Sequence, residues 1–237
     1  MITVTTTLTI TINSAVIKID FESESKIEPQ VVRDLLRAEY GDVFAVLGMH
    51  AMAEGLVVRA LLPDVAAVQV VEQGGAGGVF DAVKTHAEGL FEVHVAGRRE
   101  LFSYELQIVD SAGEQRRCRD PYSFWPQMAC EDQYLFDEGT HCEACEMLGA
   151  HPRCVDAVAG VYFALWAPSA RRVSVVGDFN GWDGRLHCMR PAGASGLWEV
   201  FVPDLAEGAL YKFEVLAHEG EILLKGDPFA FAAEMPP

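Results

Sequence analysis

The chain has 237 residues, half of them hydrophobic, with 35 acidic side chains against 18 basic ones and a net charge of −17. That balance lacks the basic footprint which nucleic acid or an anionic membrane surface requires, while the apolar content is enough for the core of one large domain or two small ones. It fits a soluble protein that meets an uncharged ligand.

Residues 1–19, MITVTTTLTITINSAVIKI, are apolar without being an export signal: no basic residue leads them, threonine interrupts the apolar pairs, and no small-residue cleavage site follows. No window reaches the length of a membrane span. The Thr/apolar alternation is a strand pattern, so 1–28 reads as an added edge strand or as an extension, and is taken as an extension. Pro29 suits a first helical position, Val32, Leu35 and Leu36 mark one stripe, and Gly41 is a stop, which predicts a helix over 29–40. Short apolar runs separated by Gly, Pro and Asp then cover about 56–62, 67–72, 89–95, 101–109, 161–166, 172–177, 197–202, 210–216 and 221–225, the spacing of an all-β sandwich. Cysteines stand at 118, 130, 142, 145, 154 and 188 without regular spacing, in a chain too large to need staples, and read as free thiols in a reducing, cytoplasmic setting.

The chain repeats itself. Pro63, Val68, Val70 and Val71 recur as Pro168, Val173, Val175 and Val176 at an offset of 105. Gly89-Leu90-Phe91-Glu92 recurs as Gly196-Leu197-Trp198-Glu199, Tyr104 as Tyr211, and Asp120-Pro121-Tyr122-Ser123-Phe124 as Asp227-Pro228-Phe229-Ala230-Phe231, each at 107. Four blocks in one order predict two tandem sandwiches of about 100 residues, with Asp120-Pro121 and Asp227-Pro228 ending equivalent strands. The expected division is an extension at 1–28, a first module at 29–124, a linker at 125–158 and a second module at 159–237. Tyr134-Leu135-Phe136 predicts that the linker packs, and Trp125 at its start is placed against either module.

The most informative stretch is Gly160 to Gly184, GVYFALWAPSARRVSVVGDFNGWDG. Two apolar strands, parted by Pro168, lead into a polar Asn180-Gly181 turn flanked by aromatics. Trp166 and Trp198 lie on the strand patterns and are expected in the core. This stretch resembles, nearly residue for residue, the non-catalytic β-sandwich that precedes the barrel in bacterial glycogen (1,4-α-glucan) branching enzymes. Phe44-Ala45-Val46-Leu47-Gly48-Met49-His50 resembles the opening of that family's first module, and Leu148-Gly149-Ala150-His151-Pro152 its bridge into the second. The resemblance implies a fold of two tandem immunoglobulin-like sandwiches behind a short helix. It implies as partners an α-glucan, glycogen or maltooligosaccharide, and the parent enzyme's catalytic barrel.

Three constellations have the residue types of a functional site. His141, Cys142, Cys145, His151 and Cys154 include one Cys-x-x-Cys knuckle, but a structural zinc site usually has two, and in the family aromatic residues commonly occupy the places of the two knuckle cysteines, so no metal or cofactor is expected. Glycosidase chemistry needs two carboxylates at the strand ends of a barrel; two β-modules fill this chain, which stops at Glu234-Met235-Pro236-Pro237 where the family passes into its barrel, so it is expected to be inactive alone. The third is a sugar-binding face, in which an aromatic plane meets a sugar ring beside polar groups. Trp182 at the turn, with Asn180 and Asp183 beside it and Lys212 on a later strand, has that chemistry, and by resemblance Trp182 and Lys212 match glucan-binding positions of related sensing modules. Those relatives carry a second tryptophan after the lysine strand, whereas Glu219-Gly220-Glu221-Ile222-Leu223 here has none. The expected function is the non-catalytic, glucan-binding amino-terminal region of a branching enzyme; a stand-alone carbohydrate-binding subunit and a purely structural scaffold are the alternatives.

Overall fold

The computed structural model describes residues 6–12, 15–21, 27–75 and 77–232. The protein is all-β: strands dominate, and four antiparallel sheets form two sandwiches. Strands β1 (Thr6–Ile12) and β2 (Ala15–Phe21) pair with each other in a two-stranded sheet that joins none of those four. Helix α1 (Pro29–Leu36) is shorter than the periodicity predicts, because Ala38 already adopts a left-handed φ of 55° and ends the helix before Gly41.

In the first sandwich, β3 (Gly48–Met52), β4 (Gly55–Leu61), β8 (Leu90–Ala96) and β7 (Val83–His86) form one sheet in the order β3-β4-β8-β7. The facing sheet runs β10-β9-β5-β6, from β10 (Gln115–Cys118), β9 (Tyr104–Asp110), β5 (Val65–Glu72) and β6 (Val79–Asp81). Alternate residues of both sheets, among them Val58, Val68, Phe91 and Ile108, close one core. The second sandwich repeats this. Strands β11 (Gly149–Val155), β12 (Val158–Trp166), β15 (Leu197–Pro203) and β14 (Arg190–Ala192) run β11-β12-β15-β14, opposite β13 (Ala170–Gly177), β16 (Tyr211–Ala217) and β17 (Ile222–Lys225) in the order β13-β16-β17. An isolated bridge from Ser174 to Cys188 sits on β13 where β6 sits on β5. The edge strands β3, β6, β7, β10, β11 and β14 escaped the apolar-run pattern because they are short or half-exposed, and β11 lies inside the stretch read as linker.

The repeated residues do the same physical work in each copy. The Tyr104 hydroxyl donates to Asp120, whose other oxygen accepts the Tyr122 amide at 2.9 Å. The Tyr211 hydroxyl donates to Asp227, which accepts the Phe229 amide at 2.8 Å. Gly89 and Gly196 have φ of 100° and 84°, and accept at 2.8 Å from the amides of Leu62 and Ala167 respectively. A Cβ on Gly196 would lie 2.3 Å from the Pro168 Cα. Gly196→Ala is therefore expected to destabilise the second sandwich by about 2 kcal/mol or more, read as a lower urea midpoint, because strain and clash act together. One repeat is too short to stand out in the sequence: Leu47-Gly48-x-His50 recurs as Leu148-Gly149-x-His151, each imidazole Nε2 lying 2.9 Å from its leucine carbonyl.

The strands β12 and β15 are apolar on both faces because both are covered. Their inner face packs on β13 and β16, while Phe124, Met128, Met147 and Leu148 lie on the outer face. The linker is thus a packed strap with two helices absent from the sequence reading, α2 (Cys130–Asp137) and α3 (Ala144–Met147). Buried Glu199 receives the backbone amides of Gln127 at 3.0 Å and Met128 at 2.7 Å, and Arg190 donates to the Phe124 carbonyl. Trp198 is buried as expected, but Trp166 is 53% exposed: it ends its strand, where the strap offers only the edge of Phe136, centroid to centroid at 5.9 Å.

The two sandwiches are joined by specific contacts. Val32 and Leu35 of α1 share an apolar cluster with Leu47, Leu61, Leu90, Tyr122 and Cys188. The Tyr122 hydroxyl donates to the Leu186 carbonyl at 3.1 Å and accepts the Cys188 amide at 3.2 Å. Arg172, fully buried, donates through Nε to the Ala38 carbonyl at 2.7 Å, through Nη1 to Ser174 Oγ at 2.6 Å and through Nη2 to Glu214 at 2.8 Å. Among the described residues no helix is long and apolar enough to cross a membrane.

Candidate functional site

Strand β13 ends at Gly177, and the chain turns through a single 3-10 turn, Asp178–Asn180. Asparagine here does what its short amide favours, bonding nearby backbone. Asn180 Oδ1 accepts the Gly177 amide at 3.0 Å, while Nδ2 donates to the Val175 carbonyl and to His187 Nδ1, both at 2.9 Å. Asn180 is consequently buried and its amide is used up, so it frames the turn and is not free to meet a ligand. Asp183 is similarly engaged: its carboxylate takes the Arg185 guanidinium at 2.6–3.1 Å and the Arg185 amide at 2.9 Å. Burial pushes that carboxyl up, but the bonds from Arg185 outweigh it and hold it below the usual carboxylate range.

Gly181 and Trp182 follow with φ of 62° and 61°. Two successive left-handed residues swing the tryptophan outward, with its amide donating to the Gly177 carbonyl at 3.0 Å. The indole is 41% exposed, and its Nε1 donates to Asp178 at 2.8 Å. It is therefore neither a core residue nor a loose one: a side-chain bond fixes its plane while a large part of it faces water. Phe213 enters the core, Tyr211 packs at 4.9 Å on Phe163, and Lys212 between them is exposed, with no hydrogen bond or ion pair among the described residues. The register sets Lys212 opposite Val176, next to the Gly177 that holds the Trp182 amide, so both residues stand at the same end of β13. Alternation puts Ile222 and Leu224 of β17 on the Lys212 face, both exposed. Aliphatic side chains thus stand in the region where the resemblance implies a second tryptophan.

The cysteine and histidine candidates are dispersed. His141 Nε2 lies 3.1 Å from Asp132, His151 is held on the Leu148 carbonyl, and Cys142, Cys145 and Cys154 are exposed free thiols. Among the described residues no three His, Cys, Asp or Glu side chains converge as metal ligands would. The site that remains is an indole plane held by the Asp178 carboxylate, one ammonium and an aliphatic shelf, which can stack on a sugar ring and exchange hydrogen bonds with its hydroxyls.

Two family models match the chain. Residues 28–122 match the family described as alpha-1,4-glucan branching enzyme GlgB, N-terminal domain, and residues 147–230 match carbohydrate-binding module 48 (isoamylase N-terminal domain). The chain is 47% identical over 204 residues to the 1,4-alpha-glucan branching enzyme GlgB of Paramagnetospirillum magneticum, a match covering 86% of this chain and 27% of that one. The chain thus spans about a quarter of the length of that relative. Among solved structures, a pullulanase type I from Bacillus subtilis complexed with maltose aligns over 76% of this chain and 24% of its own at 17% identity and a TM-score of 0.29. A maltotriose complex of a Klebsiella pneumoniae pullulanase mutant aligns over 78% and 23% at 16% identity and a TM-score of 0.30. Likenesses that distant place no residue of this chain.

Proposed function

We propose that this chain, similar over most of its length to the amino-terminal part of a 1,4-alpha-glucan branching enzyme, serves as the non-catalytic amino-terminal region of a glycogen branching enzyme, its second sandwich holding an α-glucan strand at the Trp182 turn while the whole region supports the parent enzyme's catalytic barrel. The observation that carries the glucan reading is Trp182 itself: an indole fixed by Asp178 yet 41% exposed, at the same sheet end as the exposed, unpaired Lys212. Trp182 would stack on a glucose ring, Lys212 would donate to a hydroxyl, and Asn180 and Asp183 would keep the turn in shape. In this reading the first module is 29–124, the second begins at β11 inside the stretch expected to be linker, the strap is the part of that stretch before β11, and the protein works in the cytoplasm on glycogen.

One indole and one ammonium anchor a few sugar rings weakly, with dissociation constants of roughly millimolar, about −4 kcal/mol. Multivalent engagement of a long glucan raises the apparent affinity. Trp182→Ala is expected to weaken retention on a glycogen affinity gel clearly while the melting temperature stays within about 2 °C of the parent, since the side chain is not part of either core. Unchanged retention would refute the site. Unfolding would show that the tryptophan is structural.

A further inference from the structure

Where the two sandwiches meet, a cleft of about 700 Å³ opens, lined from the first sandwich by His50 and by residues 101–105 at the start of β9, from the second by Asp156 and Arg190, and from the strap by Trp125. This lies within the size of ordinary ligand sites, roughly 300–1,000 Å³. Trp125 is not packed against either module, as its position at the start of the strap suggests; it is 68% exposed. The backbone around it is nevertheless pinned. Arg190, stacked at 3.6 Å on Phe44, holds the Phe124 carbonyl, and buried Glu199 holds the amides of Gln127 and Met128. The Gln127 side chain donates to the carbonyl of Trp125 at 2.7 Å. A segment fixed at residues 124, 125, 127 and 128 thus presents one large indole to water, the arrangement of a preorganised platform and not of a frayed loop.

The arginines around it are matched by carboxylates. Arg119, half-exposed, pairs with Glu105 at 3.5 Å and with Asp204 at 2.7 Å, and Gln73 donates to Glu105 at 3.3 Å. Arg190 has Glu199 at 3.9 Å. With both guanidiniums facing carboxylates, the cleft has no spare cation for a phosphate among the described residues, while the two pairs and the exposed Asp156 carboxylate set donors and acceptors together beside an aromatic face. That is the chemistry of a neutral, hydroxyl-rich ring. We infer that the intermodule cleft is a second oligosaccharide site, with Trp125 as the stacking platform and the Arg119–Glu105 pair as the hydroxyl partner, separate from the Trp182 turn and taking the same class of uncharged glucan. The choice of glucan rests on the function proposed above; the choice of place does not.

The chain labelled with 5-fluorotryptophan gives one fluorine signal for each of its four tryptophans, assignable by single replacements, and maltoheptaose titration reads both sites at once. The expected result is saturable movement of the Trp125 and Trp182 signals with Trp198 still. In Trp125→Ala the Trp182 titration midpoint should stay within about twofold of the parent, and in Arg119→Ala the Trp125 midpoint should rise roughly tenfold. Movement of Trp182 alone overturns the cleft and leaves the proposed function standing. Movement of Trp125 alone supports the cleft and removes the turn. Stillness of both overturns both.

Discussion

Arg172→Ala is expected to cost about 3–5 kcal/mol, read as a fall in the urea midpoint. The guanidinium is fully buried and satisfies three partners from separate parts of the chain: the Ala38 carbonyl after α1, Ser174 on its own strand and Glu214 on β16. Removing it leaves the Glu214 carboxylate only 16% exposed without its counter-charge, and deprives a carbonyl 134 residues away of its donor. The loss is a large part of the 5–15 kcal/mol that holds a typical domain together. Arg172→Lys should rescue little, because an ammonium lacks the planar fork that reaches three acceptors at once. Arg172→Met with Glu214→Leu should recover much of the loss, since the cost arises from the abandoned charge more than from any net gain of the pair. The double variant should still fall short of the parent, as the Ala38 carbonyl stays unmatched. If alanine at 172 shifts the midpoint by less than about 1 kcal/mol, the guanidinium is solvated and the join between α1 and the second sandwich is looser than described.

Arg172 also shows where the sequence stops being legible. Alternation along β13 sets Val173, Val175 and Gly177 against Arg172, Ser174 and Val176, and an arginine on the second set reads as a solvent-facing residue. Its burial comes from the segment after α1 and from the 184–188 loop, neither of which is adjacent in sequence. The repeat, by contrast, was legible because each repeated block carries a backbone requirement: a left-handed glycine at 89 and 196, and an aspartate that receives a tyrosine hydroxyl at 120 and 227. At the candidate site the residue types were legible in the sequence and their use was not. Asn180 and Asp183 read equally well as sugar ligands or as turn chemistry, and local bonding claims both, as short polar side chains in turns often allow. Trp166 misleads for a related reason: a strand pattern gives the face a residue points to, but not where the covering layer ends.

The second large effect is a cancellation that two substitutions should uncover. Burial raises the Asp120 carboxyl from 3.8 to about 6, although bonds from Tyr104 and the Tyr122 amide pull the other way. A folded value above the unfolded one means that this group's contribution is fully present below about pH 4 and is lost as pH rises towards 6. His187 does the reverse. Burial lowers it from 6.5 to about 4, and protonation would also displace the Asn180 amide from Nδ1, so its contribution is present above pH 6.5 and is lost as pH falls towards 4. Between pH 4 and 6 the folded state retains one proton that the unfolded chain has given up and lacks another that the unfolded chain holds. The two slopes, each about 1.4 kcal/mol per pH unit, are opposite in sign and nearly cancel. Glu72 and Asp183, both held below the usual carboxylate range, weaken the fold only at lower pH still. The parent should therefore show a nearly flat urea midpoint across this window. Asp120→Asn, which keeps the shape and an acceptor, should expose the histidine limb, so that stability climbs from pH 4 to 6. His187→Gln should expose the aspartate limb, so that stability falls over the same range. Profiles for the two variants that run parallel to each other would show that neither group titrates as its burial dictates. A divergence would place the balance in two side chains, the buried aspartate of the Tyr104 anchor that ends the first sandwich and the half-buried histidine under the Trp182 turn.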